Sequence, residues 1–147
     1  MFVVVDWEDR RPAYLQIRDQ VVEGIAQGGL KPGDRLPSVR RLASQLGLNL
    51  HTVHKAFELL QQEEFIRLTP RSGAVVCPRT LASDETAATL YNQIRPLLAE
   101  HWVRGLDTHA IMDVVQRCLN TFTLANVAAL SESGNPPTPS SASPNGA

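Results

Sequence analysis

Apolar residues recur along the first part of the chain at helical rather than strand spacing. Tyr14, Ile17, Val21 and Ile25 fall on one stripe. Pro12, with a fixed φ suited to a first helical position, is expected to open that helix, and Gly28-Gly29 to end it. A turn-rich connector, Leu30-Lys31-Pro32-Gly33-Asp34-Arg35, leads to Leu36-Pro37-Ser38. There the Ser38 hydroxyl is placed to accept from the free amides of the next helix. Val39, Leu42, Ala43 and Leu46 stand at i, i+3, i+4 and i+7 of that helix, with Arg40, Arg41, Ser44 and Gln45 on the other side. Gly47 stops it. Asn49 is suited to cap a third helix, which repeats the stripe with Val53, Ala56, Phe57 and Leu60 and leaves His51, Thr52, His54, Lys55 and Glu58 largely outward. Two short amphipathic helices therefore meet across Gly47-Leu48, the arrangement of a helix-turn-helix. Two β-prone runs follow, at 65–69 and 74–77, and Pro70-Arg71-Ser72-Gly73 between them makes a hairpin with a basic tip. Three helices and a hairpin in that order predict a winged helix-turn-helix.

The distal part is also patterned as helix. Ser83 or Asp84 caps a run that places Ala87, Leu90, Tyr91, Ile94, Leu97, Leu98 and His101 or Trp102 on one side, closed by Gly105. Pro96 inside that run is expected to kink or split it. Asp107 or Thr108 caps a last helix whose Ile111, Val114, Val115, Cys118, Phe122, Ala125 and Ala129 hold one stripe for about five turns. Two helices cannot cover both stripes alone, so a second copy of the chain is expected to do so. The expected homodimer interface comprises Leu90, Ile94, Leu98, Ile111, Val114, Val115, Cys118 and Phe122. The expected fold is mainly α with a small β-hairpin wing. Residues 1–80 would form the winged helix-turn-helix domain, 81–130 a short two-helix dimerisation region, and 131–147, rich in Ser, Pro, Gly, Asn and Thr, a disordered tail.

Composition changes this picture little, but charge distribution sharpens it. The 147 residues fit one domain or a small domain with an appendage. The formal net charge of -1 removes any argument from the whole molecule being a polycation. Positive charge is instead local: eleven Lys and Arg face nine acids in residues 1–80, against three and six in the remainder. An anionic partner should meet the first part. The apolar runs 2–5 and 74–77 are far short of a membrane span, and no basic, then apolar leader follows Met1, so a cytoplasmic protein is expected. Cys77 and Cys118 are neither a disulfide framework nor a close zinc pair, and are expected to be buried small apolar side chains.

The chemistry converges on the amino end of the third helix. A helix N-terminus aimed into a major groove brings partial positive charge near phosphates and its first side chains to base edges. Asn49, His51, Thr52 and His54 can read bases or sugar-phosphate, and Lys55 suits a phosphate. Arg40 and Arg41 on the preceding helix and Arg71 at the wing tip would grip the backbone on either side. Any one of these alone reads as an ordinary solvated charge; their convergence makes the case for double-stranded DNA. No phosphate loop, nucleophile elbow or carboxylate pair marks a catalytic site, and no cofactor is implied. His51 and His54 share a face, but with only Glu58 near them they do not complete a metal site. Glu63-Glu64 reads as the solvated end of the recognition helix, and the stripe carrying Trp102, like the methionines, as core. Two other readings stand. One is a protein-interaction module that uses the winged helix as a scaffold and would not need basic residues on one side. The other is a regulator sensing a metal or small-molecule effector through His51, His54, His101 or His109, for which two helices leave little pocket volume.

Three stretches together resemble the DNA-binding domain of the GntR family of bacterial transcription regulators. They are Pro12-Ala13-Tyr14-Leu15-Gln16-Ile17, the run from Leu30 to Ala43 that contains Leu36-Pro37-Ser38-Val39-Arg40-Arg41, and the run from Leu46 to Ala56. The resemblance covers roughly residues 10–77, and the short two-helix end is similar to the YtrA subfamily. It implies a dimeric repressor on an operator of two-fold symmetry. Arg40 matches the family's DNA-contacting arginine, Asn49, His51, Thr52, His54 and Lys55 its recognition-helix positions, and Gly73 the second glycine of the wing. Leu50 stands where the family often has Arg and this subfamily Pro. Arg71 replaces the wing's first glycine, with Ser72 beside it, and Ala74-Val75 replace a Thr-aromatic pair.

Overall fold

The computed structural model describes residues 3–70, 73–79 and 81–132. The elements follow in the order α1 (Ala13–Ala26), α2 (Val39–Leu46), α3 (Leu50–Gln62), β1 (Ile66–Thr69), β2 (Gly73–Val76), α4 (Asp84–Val103) and α5 (Thr108–Glu132). One core takes the apolar stripe of each of the first five: Ile17 and Val21 of α1, Leu42 and Ala43 of α2, Val53, Ala56, Phe57 and Leu60 of α3, and Ile66, Ala74 and Val76 of the hairpin. Phe57, Ile17 and Leu60 are wholly enclosed, and burial of each such side chain contributes about 1.5–3 kcal/mol. All the stripes predicted for these helices face this core.

Pro12 takes the cap position rather than the first helical one, because its ψ of 143° is extended. Upstream of it, a strap is held by two glutamines one turn apart on α1. Gln20 accepts from the Val4 amide at 2.9 Å and donates to the Val4 carbonyl at 2.6 Å. Buried Gln16 accepts from the Asp6 amide at 2.8 Å and donates to the carbonyls of Asp6 and Arg11. Arg11, hydrogen-bonded to Asp9, holds that half-buried carboxyl below its usual range.

The hairpin is antiparallel, with Ile66 opposite Val76 and Thr69 opposite Gly73. The connector does more than turn: Arg35 bridges Val75 on the free edge of β2. The Leu36 amide donates to the Ala74 carbonyl and the Val76 amide to the Asp34 carbonyl, both at 2.9 Å. The wing is thus a miniature three-stranded sheet, and its third strand is hidden in sequence by flanking Pro and Gly.

The distal helices behave differently. Ser83 and Thr86 form a reciprocal capping box at the start of α4, and Asp107 accepts from the Ala110 amide at 2.9 Å at the start of α5. Pro96 does not split α4, which runs unbroken through it. No residue of α4 is buried, so Trp102, and Met112 of α5, are exposed rather than core in the single chain. Helix α5 touches α1 and continues to Glu132, past the predicted start of the tail. The rest of the tail, 133–147, lies outside the described residues. Cys77 is half-buried and Cys118 exposed, both as free thiols, which corrects the expectation that both are buried. Among the described residues no helix is long and apolar enough to cross a membrane.

Candidate nucleic-acid interface

The turn that aims α3 is set by two local devices. Gly47 adopts φ +64°, where a Cβ is strained, and lets the Leu48 amide reach the Ala43 carbonyl at 3.0 Å and the Gly47 amide the Ser44 carbonyl at 3.4 Å. Asn49 is extended, and its Oδ1 accepts from the His51 amide at 2.9 Å. At the start of α2, Ser38 Oγ accepts from the Arg41 amide at 3.2 Å. Both predicted caps are therefore present, and both helix N-termini open to solvent.

Asn49, Leu50, His51, His54 and Lys55 are exposed on α3, and Thr52 is half-buried. Arg40 and Arg41 are exposed on α2 and have no ion-pair partner among the described residues. Two of the recognition-helix residues are engaged within the protein. His54 Nδ1 lies 3.5 Å from Glu58 Oε1 one turn on, a contact that is ionic only when the imidazole is protonated. The Lys55 ammonium sits 4.1 Å from the centre of the Tyr14 ring, held by a cation–π contact against α1 rather than free at the helix tip. Gly73 heads β2 at φ +71°, and Thr69 Oγ1 donates to its carbonyl at 3.0 Å. Arg71 and Ser72, the remaining wing candidates, lie outside the described residues.

The far end of α3 differs from expectation. Glu63 is not simply solvated: its carboxylate accepts from Arg18 Nε at 2.8 Å and ties α3 to α1. That pairing holds the half-buried Arg18 firmly in its charged form. Glu64 carries φ +63°, the one described non-glycine residue with positive φ. Its own amide bonds to the Gln61 carbonyl and that of Phe65 to the Leu60 carbonyl, both at 3.0 Å, the closure that Gly47 makes for α2.

Sequence reasoning also passed over two arginines of the wing. Arg35 and Arg67 are exposed while their neighbours Leu36 and Ile66 are buried, an alternation visible in sequence once both segments are known to be strands. Among the described residues no three His, Cys, Asp or Glu side chains are grouped to hold a metal. The expectation of little pocket volume is corrected. Apolar clefts of about 470 Å³, between α1, Phe65, Cys77 and Phe122, and about 460 Å³, between α4 and α5, are present.

This geometry defines a winged-helix regulator, and comparison with known proteins agrees. The profile described as bacterial regulatory proteins, gntR family, matches residues 13–76. The structure of YtrA from Sulfolobus acidocaldarius, a GntR-family transcription factor, superposes with a TM-score of 0.57. It is 41% identical and covers 67% of this chain and 99% of its own. The transcriptional repressor YtrA of Bacillus subtilis is 28% identical over 116 residues, 78% of this chain and 89% of that protein. The regulator Rv1152 of Mycobacterium tuberculosis is 39% identical over 72 residues, 49% of this chain and 60% of that protein, so the chain spans less than two thirds of it. The chain belongs to the GntR family, in its YtrA-like branch. The proteins it resembles are named as transcription regulators.

Proposed function

We propose that the chain is a sequence-specific DNA-binding repressor that acts in the cytoplasm as a homodimer. The observation that carries this is the capped N-terminus of α3, open to solvent, with exposed Arg40 and Arg41 on the preceding helix lacking carboxylate partners among the described residues. Side chains at such an end meet base edges while neighbouring cations meet phosphates. In this reading Asn49, His51, Thr52 and His54 read the major groove. Arg40, Arg41 and the wing loop of Arg71, Ser72 and Gly73 position the protein on the backbone, and Lys55 joins them on leaving Tyr14. Residues 1–80 are the reading unit. Residues 81–130 pair two copies through Leu90, Ile94, Leu98, Ile111, Val114, Val115, Cys118 and Phe122. Pairing is favoured because α4 buries nothing within one chain, and repression because a similar protein, YtrA of Bacillus subtilis, is named a repressor.

Selection of binding sites from random duplex DNA with the purified protein tests the whole reading. Symmetric half-sites about 10–10.5 bp apart, or a multiple, are expected; a failure to enrich any site overturns it. Arg40→Ala should weaken binding and flatten its salt dependence by about 0.9 in the log–log slope per lost phosphate contact. His51→Ala or Thr52→Ala should instead relax preference at particular base pairs by about 1–3 kcal/mol. An unaltered site preference would remove them as readers.

A further inference from the structure

The outer face of the wing carries a row of charge that the recognition helix does not explain. Val75 is the centre of the three-stranded sheet, with Arg67 opposite it on β1 and Arg35 opposite it on the connector strand. Directly opposed residues of antiparallel strands share a face. Since Ala74, Val76, Leu36 and Ile66 are buried on the inner face, Arg67, Val75 and Arg35 lie on the outer one. Two inter-strand spacings separate the arginine backbones by about 10 Å. Arg35 also lines an open polar cleft of about 610 Å³ together with Arg41 and Gln45 of α2, which joins the row to α2. The one acid lining that cleft, Asp34, accepts from the Lys31 amide at 2.8 Å.

The arginines divide by pairing, and among the described residues Arg10, Arg40, Arg79 and Arg95 share the unpaired group with these three. Arg11, Arg18, Arg104 and Arg117 each hold a carboxylate. Arg35, Arg41 and Arg67 have no ion-pair partner among the described residues. The three stand on separate elements, β1, the connector and α2. They match an extended polyanion, which relieves their mutual repulsion through successive phosphates.

We propose that Arg41, Arg35 and Arg67 form a track that holds the sugar-phosphate backbone of duplex flanking the half-site read by α3. The track rests on the DNA-binding reading above and extends it to a surface outside the recognition helix and wing tip. It adds affinity and salt dependence without adding base preference.

The test uses the full chain and the duplex obtained by site selection, once as the bare core and once extended by flanking duplex of arbitrary sequence. Wild-type protein should bind the extended duplex more tightly and with a steeper salt slope. The double variant Arg35→Ala/Arg67→Ala should lose that gain, its slope on the extended duplex falling by about 1.8 at about 0.9 per contact, while selecting the same core sequence. Arg35→Lys/Arg67→Lys should keep most of the slope, and it remains informative should the alanine pair melt early. A double alanine variant with wild-type slope and wild-type gain from the flanks overturns the track. If Arg40→Ala still weakens core binding in that case, the track alone is wrong. If wild-type protein selects no duplex, the DNA-binding reading falls and takes the track with it.

Discussion

Glu64 shows how a single backbone angle can matter more than a side chain. It closes α3 in the left-handed region, where an L-residue's Cβ crowds the following carbonyl at a cost of about 1–2 kcal/mol. Gly47 does the same work for α2 without that cost. Part of the gain from glycine is lost to the greater freedom it gives the unfolded chain. Glu64→Gly should therefore stabilise the protein by about 0.5–1 kcal/mol, read as a higher melting temperature with operator affinity unchanged. A lowered melting temperature would mean that the Glu64 side chain makes up for its backbone strain. Sequence reasoning finds Gly47 because glycine announces the turn, and misses Glu64 because glutamate does not. Ser38 and Asn49 were equally legible, their short polar side chains having few better uses than helix caps. The ring contact of Lys55 with Tyr14 was not legible, since it depends on how α1 packs against α3.

Among the elements, α4 carries the sharpest conflict between local preference and observed form. Pro96 lies inside a continuous helix and leaves the Asn92 carbonyl without its helical donor. Relative to alanine, a proline in a helix interior costs about 3 kcal/mol. Pro96→Ala should raise stability by up to that amount and deepen the helical signal in far-ultraviolet circular dichroism. If it instead weakens self-association, Pro96 shapes the pairing surface rather than merely being tolerated. The wing makes the converse point. Its first two strands follow from β-prone runs around a turn, but the strand through Arg35 forms only because β2 offers a free edge beside it.

At the scale of the molecule, the apolar core lies entirely within residues 3–76, while α4 and α5 keep Leu90, Leu97, Val114 and Leu119 exposed. A single chain thus stabilises its winged-helix part and leaves apolar residues of its distal helices uncovered. Dimerisation predicts a melting temperature that rises with protein concentration and a two-chain mass in sedimentation. Leu90→Asp/Val114→Asp should give a folded monomer, because neither residue touches the core, and should weaken operator binding by removing the second half-site contact. A double variant that sediments as a dimer would place the pairing surface elsewhere.

Local pattern along the chain is enough for the helical stripes, the capping residues, the glycine turn between α2 and α3, the hairpin and hence the winged-helix class. Each of these arises from neighbours within a few positions, through backbone geometry and the period of apolar burial. Which charges remain available to a partner follows only from packing in space. Arg18 is taken up by Glu63 across 45 positions and Lys55 by Tyr14, whereas Arg35 and Arg67 are brought onto one sheet face. Electrostatic pairing depends on distance in space, and distance in space exists only once the strands and helices have packed.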